Sequence, residues 1–84
     1  MVSQHAGDER TELLALLSGQ GAGSAAGMLL RTREVALLFQ VSERAVTEWA
    51  RRGRIASVRT PGGHRRYPAE HVRRLLGIEV DEQV

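Results

Sequence analysis

At 84 residues the chain supports one domain with a marginal core, because domains this small bury only about 60% of their unfolded surface; a large enclosed active site is not expected. It contains no cysteine, which excludes both a disulfide framework and a thiolate metal site. Net charge is +2, but unevenly spread: Arg31 to Arg74 holds eleven arginines against four glutamates, a local +7, while residues 1–30 carry −2 and residues 75–84 carry −3.

A basic middle between acidic ends suggests a polyanion-binding surface rather than a generally cationic protein. All twelve basic residues are arginine. The planar guanidinium fork suits bidentate contact with phosphate or guanine, although arginine-favouring codon usage accounts for the choice equally well. The N-terminus lacks a basic start followed by an apolar stretch, and no run approaches the ~20 apolar residues of a membrane span, so a soluble cytoplasmic protein is expected.

The first pattern is "DERTELLALLSG", which fits a short helix whose Leu13, Leu14, Leu16 and Leu17 cluster too broadly for a clean stripe. "GQGAGSAAG" over residues 19–27 then reads as a flexible linker. Its glycines can be forced onto a dinucleotide-binding pattern, but no strand precedes them and no acidic partner follows at the required distance. Residues 1–27 are therefore expected to be a flexible or partly helical N-terminal extension.

From Leu29 the chain becomes dense. In "TREVALLFQ", Val35, Leu38 and Phe39 form the stripe of a helix, with Thr32 as its expected cap and Glu34 complementing the N-terminal dipole. After Gln40 and Val41, Ser42 is expected to cap a second helix running to Arg52, with Gly53 as its left-handed stop. That helix has two faces. Ala45, Val46, Trp49 and Ala50 lie on one, and Arg44, Thr47, Glu48 and Arg51 on the other.

"RIASVR" fits a short strand, "TPGG" a turn and "HRRY" the return strand of a hairpin, with Arg65 and Tyr67 sharing one side. Pro68 opens a third helix carrying Val72, Leu75 and Leu76 and ending at Gly77. Residues 78–84 are a short acidic tail. The expected fold over residues 28–77 is mainly α with a small β-hairpin, a winged helix-turn-helix of order helix, helix, wing, helix.

Catalytic chemistry is poorly supported. His5, His64 and His71 are scattered with no carboxylate set for a metal, Ser42 reads as a cap rather than a nucleophile, and Glu43 and Glu48 sit on an exposed helix where nothing shifts a pKa. No enzyme activity, metal or cofactor is expected. Double-stranded DNA is the better partner. A helix over 43–52 fits the major groove, where Arg44 and Arg51 can fork onto guanine and Thr47 can meet a thymine methyl or a phosphate.

Glu48 has two readings, as acceptor from cytosine or as an ion-pair partner of Arg44 or Arg52. The basic hairpin over 59–67 would follow the backbone through Arg59, Arg65 and Arg66, with Gly62 and Gly63 allowing close approach, or send one arginine into the minor groove. Any one of these arginines can instead cover the core edge or pair with a glutamate. Trp49 and Tyr67 are expected in the core, the tyrosine hydroxyl still able to reach a phosphate.

The run from Leu29 to Gly77, and in it "VSERAVTEWARRGRI" and "RTPGGHRRY", resembles the DNA-binding domains of the MerR superfamily, especially the small BldC-like and excisionase-type winged helix-turn-helix proteins. The resemblance implies DNA contacts from Ser42, Glu43, Arg44, Thr47 and Arg51 on the recognition helix. It also implies contacts from Arg59, Gly63, His64, Arg65, Arg66 and Tyr67 on the wing. Pro68 departs from the pattern, standing where relatives often have a Ser or Asp cap.

Larger members of the superfamily continue into a dimerising coiled coil and an effector domain. The expectation here is a transcriptional regulator associated with the nucleoid, with no small-molecule effector, adding copies side by side on repeated sites. An excisionase-like architectural factor in site-specific recombination is the near alternative. A protein-interaction module working through Leu13 to Leu17 or the tail is the alternative of another class.

Overall fold

The computed structural model describes residues 5–18 and 27–77, with side chains in the first segment from Glu9 onward. Most of the glycine-rich linker and all of the acidic tail lie outside these residues. The elements are α1 (His5–Leu17), β1 (Leu29–Arg31), α2 (Thr32–Phe39), α3 (Glu43–Arg51), β2 (Val58–Arg59), β3 (Arg65–Pro68) and α4 (Ala69–Leu76). The fold is thus the mainly α winged helix-turn-helix, with one strand more than expected.

The sheet is antiparallel with order β1-β3-β2, pairing Leu30 with Tyr67, Arg31 with Arg66, Val58 with Arg66 and Arg59 with Arg65. β1 was not legible because three residues carry too little alternation; it is a strand only because β3 offers it a ladder. Of "RIASVR" only Val58 and Arg59 join the sheet, and Ile55 turns inward to the core instead.

Leu30, Val35, Leu38, Val46, Tyr67, Ala69 and Val72 are fully buried at the centre. Phe39 and Trp49 close the edge between α2 and α3 with an edge-to-face contact, ring centroids 5.3 Å apart at 84°. On α4 the inward stripe is Ala69 and Val72, while Leu75 is exposed rather than buried as expected. Leu76, its last residue, is half-buried against the core, so the last turn keeps contact through one of the two expected leucines.

α1 packs on α2 and α4 and is part of the body. Leu13 and Leu17 are buried in the common core, so neither is available as the docking surface of the protein-interaction reading. Arg10 reaches over to the end of α2, where its Nε donates to the carbonyls of Leu37 at 3.1 Å and Leu38 at 3.2 Å, and its Nη2 to Leu38 at 3.1 Å. These carbonyls belong to the last turn; Leu37 also accepts from the Gln40 N–H, whereas Leu38 is met by Arg10, so a cation there answers both hydrogen bonding and dipole. At the start of α2, Arg33 grips Glu9 with two hydrogen bonds of 2.7 Å. The helix-turn-helix is held to α1 at both ends of its first helix.

The cap of α2 differs from the expected one. Arg31 takes the cap position and its backbone N–H donates to Glu34 Oε1 at 2.8 Å, while the Thr32 hydroxyl donates to the Tyr67 hydroxyl at 3.2 Å. Pairing Arg31 in β1 fixes it in extended backbone, which moves the cap one residue upstream.

Candidate nucleic-acid interface

The approach to α3 is set by the end of α2. Gln40 adopts the left-handed conformation at φ 60, with Gln40 N–H on the Leu37 carbonyl at 3.2 Å and Val41 N–H on the Ala36 carbonyl at 3.0 Å. This is a Schellman stop with glutamine where glycine is usual, and it reverses the chain within two residues. Ser42 then caps α3, its hydroxyl accepting from the Ala45 N–H at 3.1 Å. Val46 pins the helix to the core, with Ala45, Trp49 and Ala50 half-buried beside it. Ser42, Glu43, Arg44, Thr47 and Arg51 are all left exposed.

α3 ends one residue before the expected boundary, with Arg52 as cap. Gly53, at φ 76, lets the Arg54 N–H return to the Trp49 carbonyl at 2.8 Å, and Ile55, 3% exposed, anchors the link to the hairpin. The turn of the hairpin is a tight loop of Pro61, Gly62 and Gly63. The Gly63 N–H donates to the Thr60 carbonyl at 2.8 Å, and the Thr60 N–H to the His64 carbonyl at 2.8 Å. Gly63 has φ 87 and Gly62 does not have positive φ, so the loop is a type I turn followed by a left-handed residue.

Each glycine therefore has its own role. A Cβ on Gly62 would meet only the His64 ring at 3.5 Å and the Thr60 hydroxyl at 3.9 Å, ordinary contacts, whereas any side chain on Gly63 is strained by its φ. In urea denaturation, Gly63→Ala should lose about 1 kcal/mol, the ordinary cost of a left-handed alanine, while Gly62→Ala should stay within about 0.5 kcal/mol of the parent. Equal losses would mean that the turn is of another type.

Around the hairpin, Arg59 Nη1 donates to the Gly63 carbonyl at 3.2 Å, Arg65 Nη1 to the Ser57 hydroxyl at 3.0 Å and Arg66 Nη1 to the Arg65 carbonyl at 3.0 Å. All three bonds go to neutral oxygens, so the charge of each guanidinium is not compensated. Arg59 and His64 are exposed and Arg65 and Arg66 half-buried. Tyr67 takes the core position expected of it. It is fully buried and its hydroxyl is engaged by Thr32, so it fixes the hairpin to the core rather than reaching outward. Facing the same side of β3 as Arg65, it takes the inner position because it pairs with Leu30.

Among the described residues, ion pairs join Arg33 to Glu9, Arg51 and Arg52 to Glu48, and Arg73 to Glu70. Glu48 turns to Arg51 and Arg52 and leaves Arg44, its other expected partner, alone. Hydrogen bonds from Arg51 and then Arg52 hold its carboxyl below the usual glutamate value, and the same contact raises Arg51. Arg33 is likewise raised by its hydrogen bonds to Glu9 and by that charge. Arg44, Arg54, Arg59, Arg65, Arg66 and Arg74 make no ion pair with a described residue, nor do Arg31 and Arg10, the latter bonded to backbone carbonyls.

Two basic residues outside the expected set belong to this surface. Arg54 is exposed just beyond α3, and Arg31 sits directly across from Arg66 in the sheet. Like charges facing each other across strands are unfavourable unless something anionic meets them. Both were counted in the basic segment; Arg31 had no place on the expected surface because β1 was not expected, and Arg54, although within the quoted helix motif, lies in the link between α3 and the hairpin. No group of three metal-ligating side chains is found among the described residues, and none of their helices is long and apolar enough to cross a membrane.

Comparison with known proteins agrees with this geometry. A family model for a helix-turn-helix domain matches residues 29–77. No curated protein matches the chain. The match takes in β1, α2, α3, the hairpin and α4 and covers more than half of the chain, so the protein belongs to the helix-turn-helix domain family and carries a DNA-binding fold of that kind.

Proposed function

We propose that the protein is a sequence-specific transcriptional regulator of double-stranded DNA, similar to the BldC-like branch of the MerR superfamily. α3 enters the major groove with Arg44 and Arg51 on base edges and Ser42, Glu43 and Thr47 on bases or backbone. The hairpin lies on the adjoining backbone through Arg59, Gly63, His64, Arg65 and Arg66, and Tyr67 supports it from inside. The observation that carries this reading is an exposed polar face on α3 beside a hairpin whose three arginines have no carboxylate partner among the described residues. No effector or cofactor enters the reaction. A single domain of this size buries a modest area on DNA, so several copies side by side on repeated sites supply the affinity.

Selection from a random duplex library tests the assignment: a recurrent motif with repeated elements is expected, and unbiased recovery of sequences overturns it. Mapping of bound sites in the cell separates promoters, as expected for a regulator, from attachment sites of mobile DNA, as expected for an excisionase-like factor. On the selected site, Arg44→Ala should cost about 1–3 kcal/mol and relax preference at one base, whereas Arg59→Ala should weaken all sequences alike. If both changes relaxed the preference equally, the division between reading helix and backbone-bound hairpin would be lost.

A further inference from the structure

One acidic side chain, Glu48, sits among the arginines of the exposed face of α3. Glu48 lies on α3 one turn after Arg44 and one turn before Arg51 and Arg52, with its side chain 40% exposed. Its Oε1 accepts from Arg51 Nε at 3.3 Å, and its Oε2 accepts from Arg51 Nη2 at 3.1 Å and from Arg52 Nε at 3.0 Å. One carboxylate therefore holds two guanidinium groups, and it does so through the Nε edge of each.

We propose that Glu48 is a specificity-determining residue, restraining Arg51 and Arg52 on the reading face and setting a negative charge among them that penalises DNA lacking the right donor. This inference rests on the DNA-binding reading above and deepens it.

Three chemical consequences carry it. First, the Nε edge of Arg51 is occupied, so this arginine has its Nη1 end left for a base and its direction is set before DNA arrives. An arginine aimed in advance loses less rotamer freedom on binding, and it is less able to swing onto any nearby phosphate. Second, the three side chains together carry one positive charge rather than two. Fewer uncompensated cations mean fewer counterions released and weaker sequence-independent binding. Third, the carboxylate accepts and never donates while ionised, and its arginine partners keep it ionised. It is repelled by phosphate and by the acceptor edge of guanine, and it can take a hydrogen bond from the amino group of cytosine or adenine. Each consequence costs general affinity and raises discrimination, which is the signature of a repulsive element in specificity.

A cluster that only stabilised the helix surface would behave differently, and Glu48→Gln separates the two roles. Glutamine keeps the length and one carbonyl acceptor but removes the charge; circular dichroism and a thermal melt check that α3 is intact. Affinity is measured by fluorescence anisotropy on the selected duplex and on a scrambled one, over a range of salt. Glu48→Gln should bind the scrambled duplex about 3–10-fold more tightly at low salt, with a log–log salt slope steeper by about 1. The ratio of selected to scrambled affinity should fall about tenfold, within the range of one lost base discrimination. Glu48→Asp, which keeps the charge, should keep the parent slope. An unchanged ratio in Glu48→Gln overturns the proposal whatever the slope does. A parent protein that selects no duplex sequence at all defeats the underlying DNA-binding assignment instead, so the two failures are distinct.

Discussion

Leu17→Ala should destabilise the protein by about 2–4 kcal/mol, as expected for a buried leucine whose removal leaves a cavity. Leu17 is only 1% exposed and belongs to the same core as Val35 and Val72, although α1 lies outside the residues that the helix-turn-helix model matches. In a domain whose whole stability is expected to be about 5 kcal/mol, the low end for folded proteins, such a loss leaves only about 1–3 kcal/mol. Urea denaturation followed by circular dichroism measures it directly. Glu12→Ala on the exposed side of the same helix is the control and should change stability by no more than about 0.5 kcal/mol. If Leu17→Ala matched that control, α1 would be a dispensable extension, and its hold on both ends of α2 would have no energetic consequence.

Raising monovalent salt from about 50 to about 200 mM should lower affinity for duplex DNA by two to three orders of magnitude, given about five phosphate contacts and a log–log slope of about −4.5. The number follows from the surface. Eight of the twelve arginines make no ion pair with a described residue, and three of these, Arg59, Arg65 and Arg66, cluster on the hairpin. Anisotropy titrations on one duplex at several salt concentrations give the slope. A slope near zero would show that the basic surface does not meet a polyanion, and both the hairpin contacts and the role proposed for Glu48 would go with it.

These two effects draw on different kinds of information. The basic middle segment, the Ser42 cap, the Gly53 stop and the two faces of α3 are local patterns, each decided within a turn or two of the chain. The same holds for the turn at Pro61 to Gly63 and for the end of α4 at Gly77; Pro68, expected to open that helix, instead ends β3 and caps α4, which starts at Ala69. For that reason the winged order and the candidate reading face were legible before any coordinates.

What was not legible depends on partners far away in sequence. Arg10 meets carbonyls 27 and 28 residues along the chain, and four leucines without a clean stripe give no hint of which will find that neighbour. β1 exists only through its pairing with β3, which in turn moved the cap of α2 to Arg31 and gave Thr32 to Tyr67. Alternation put Arg65 and Tyr67 on one side but not on the inner or outer one; the register with Leu30 made that choice. Glu48 had three arginines within reach along one helix, and side-chain packing selected Arg51 and Arg52.

The sequence by itself thus determined the order of the helices and the hairpin, the exposed polar face of α3 and the sign of the charge around it, since backbone propensity, caps and charge act over short distances. Only the tertiary structure decided that α1 belongs to the core, that Tyr67 faces inward and which arginines stay uncompensated. Those outcomes follow from which surfaces the folded chain brings together, and no local pattern encodes them.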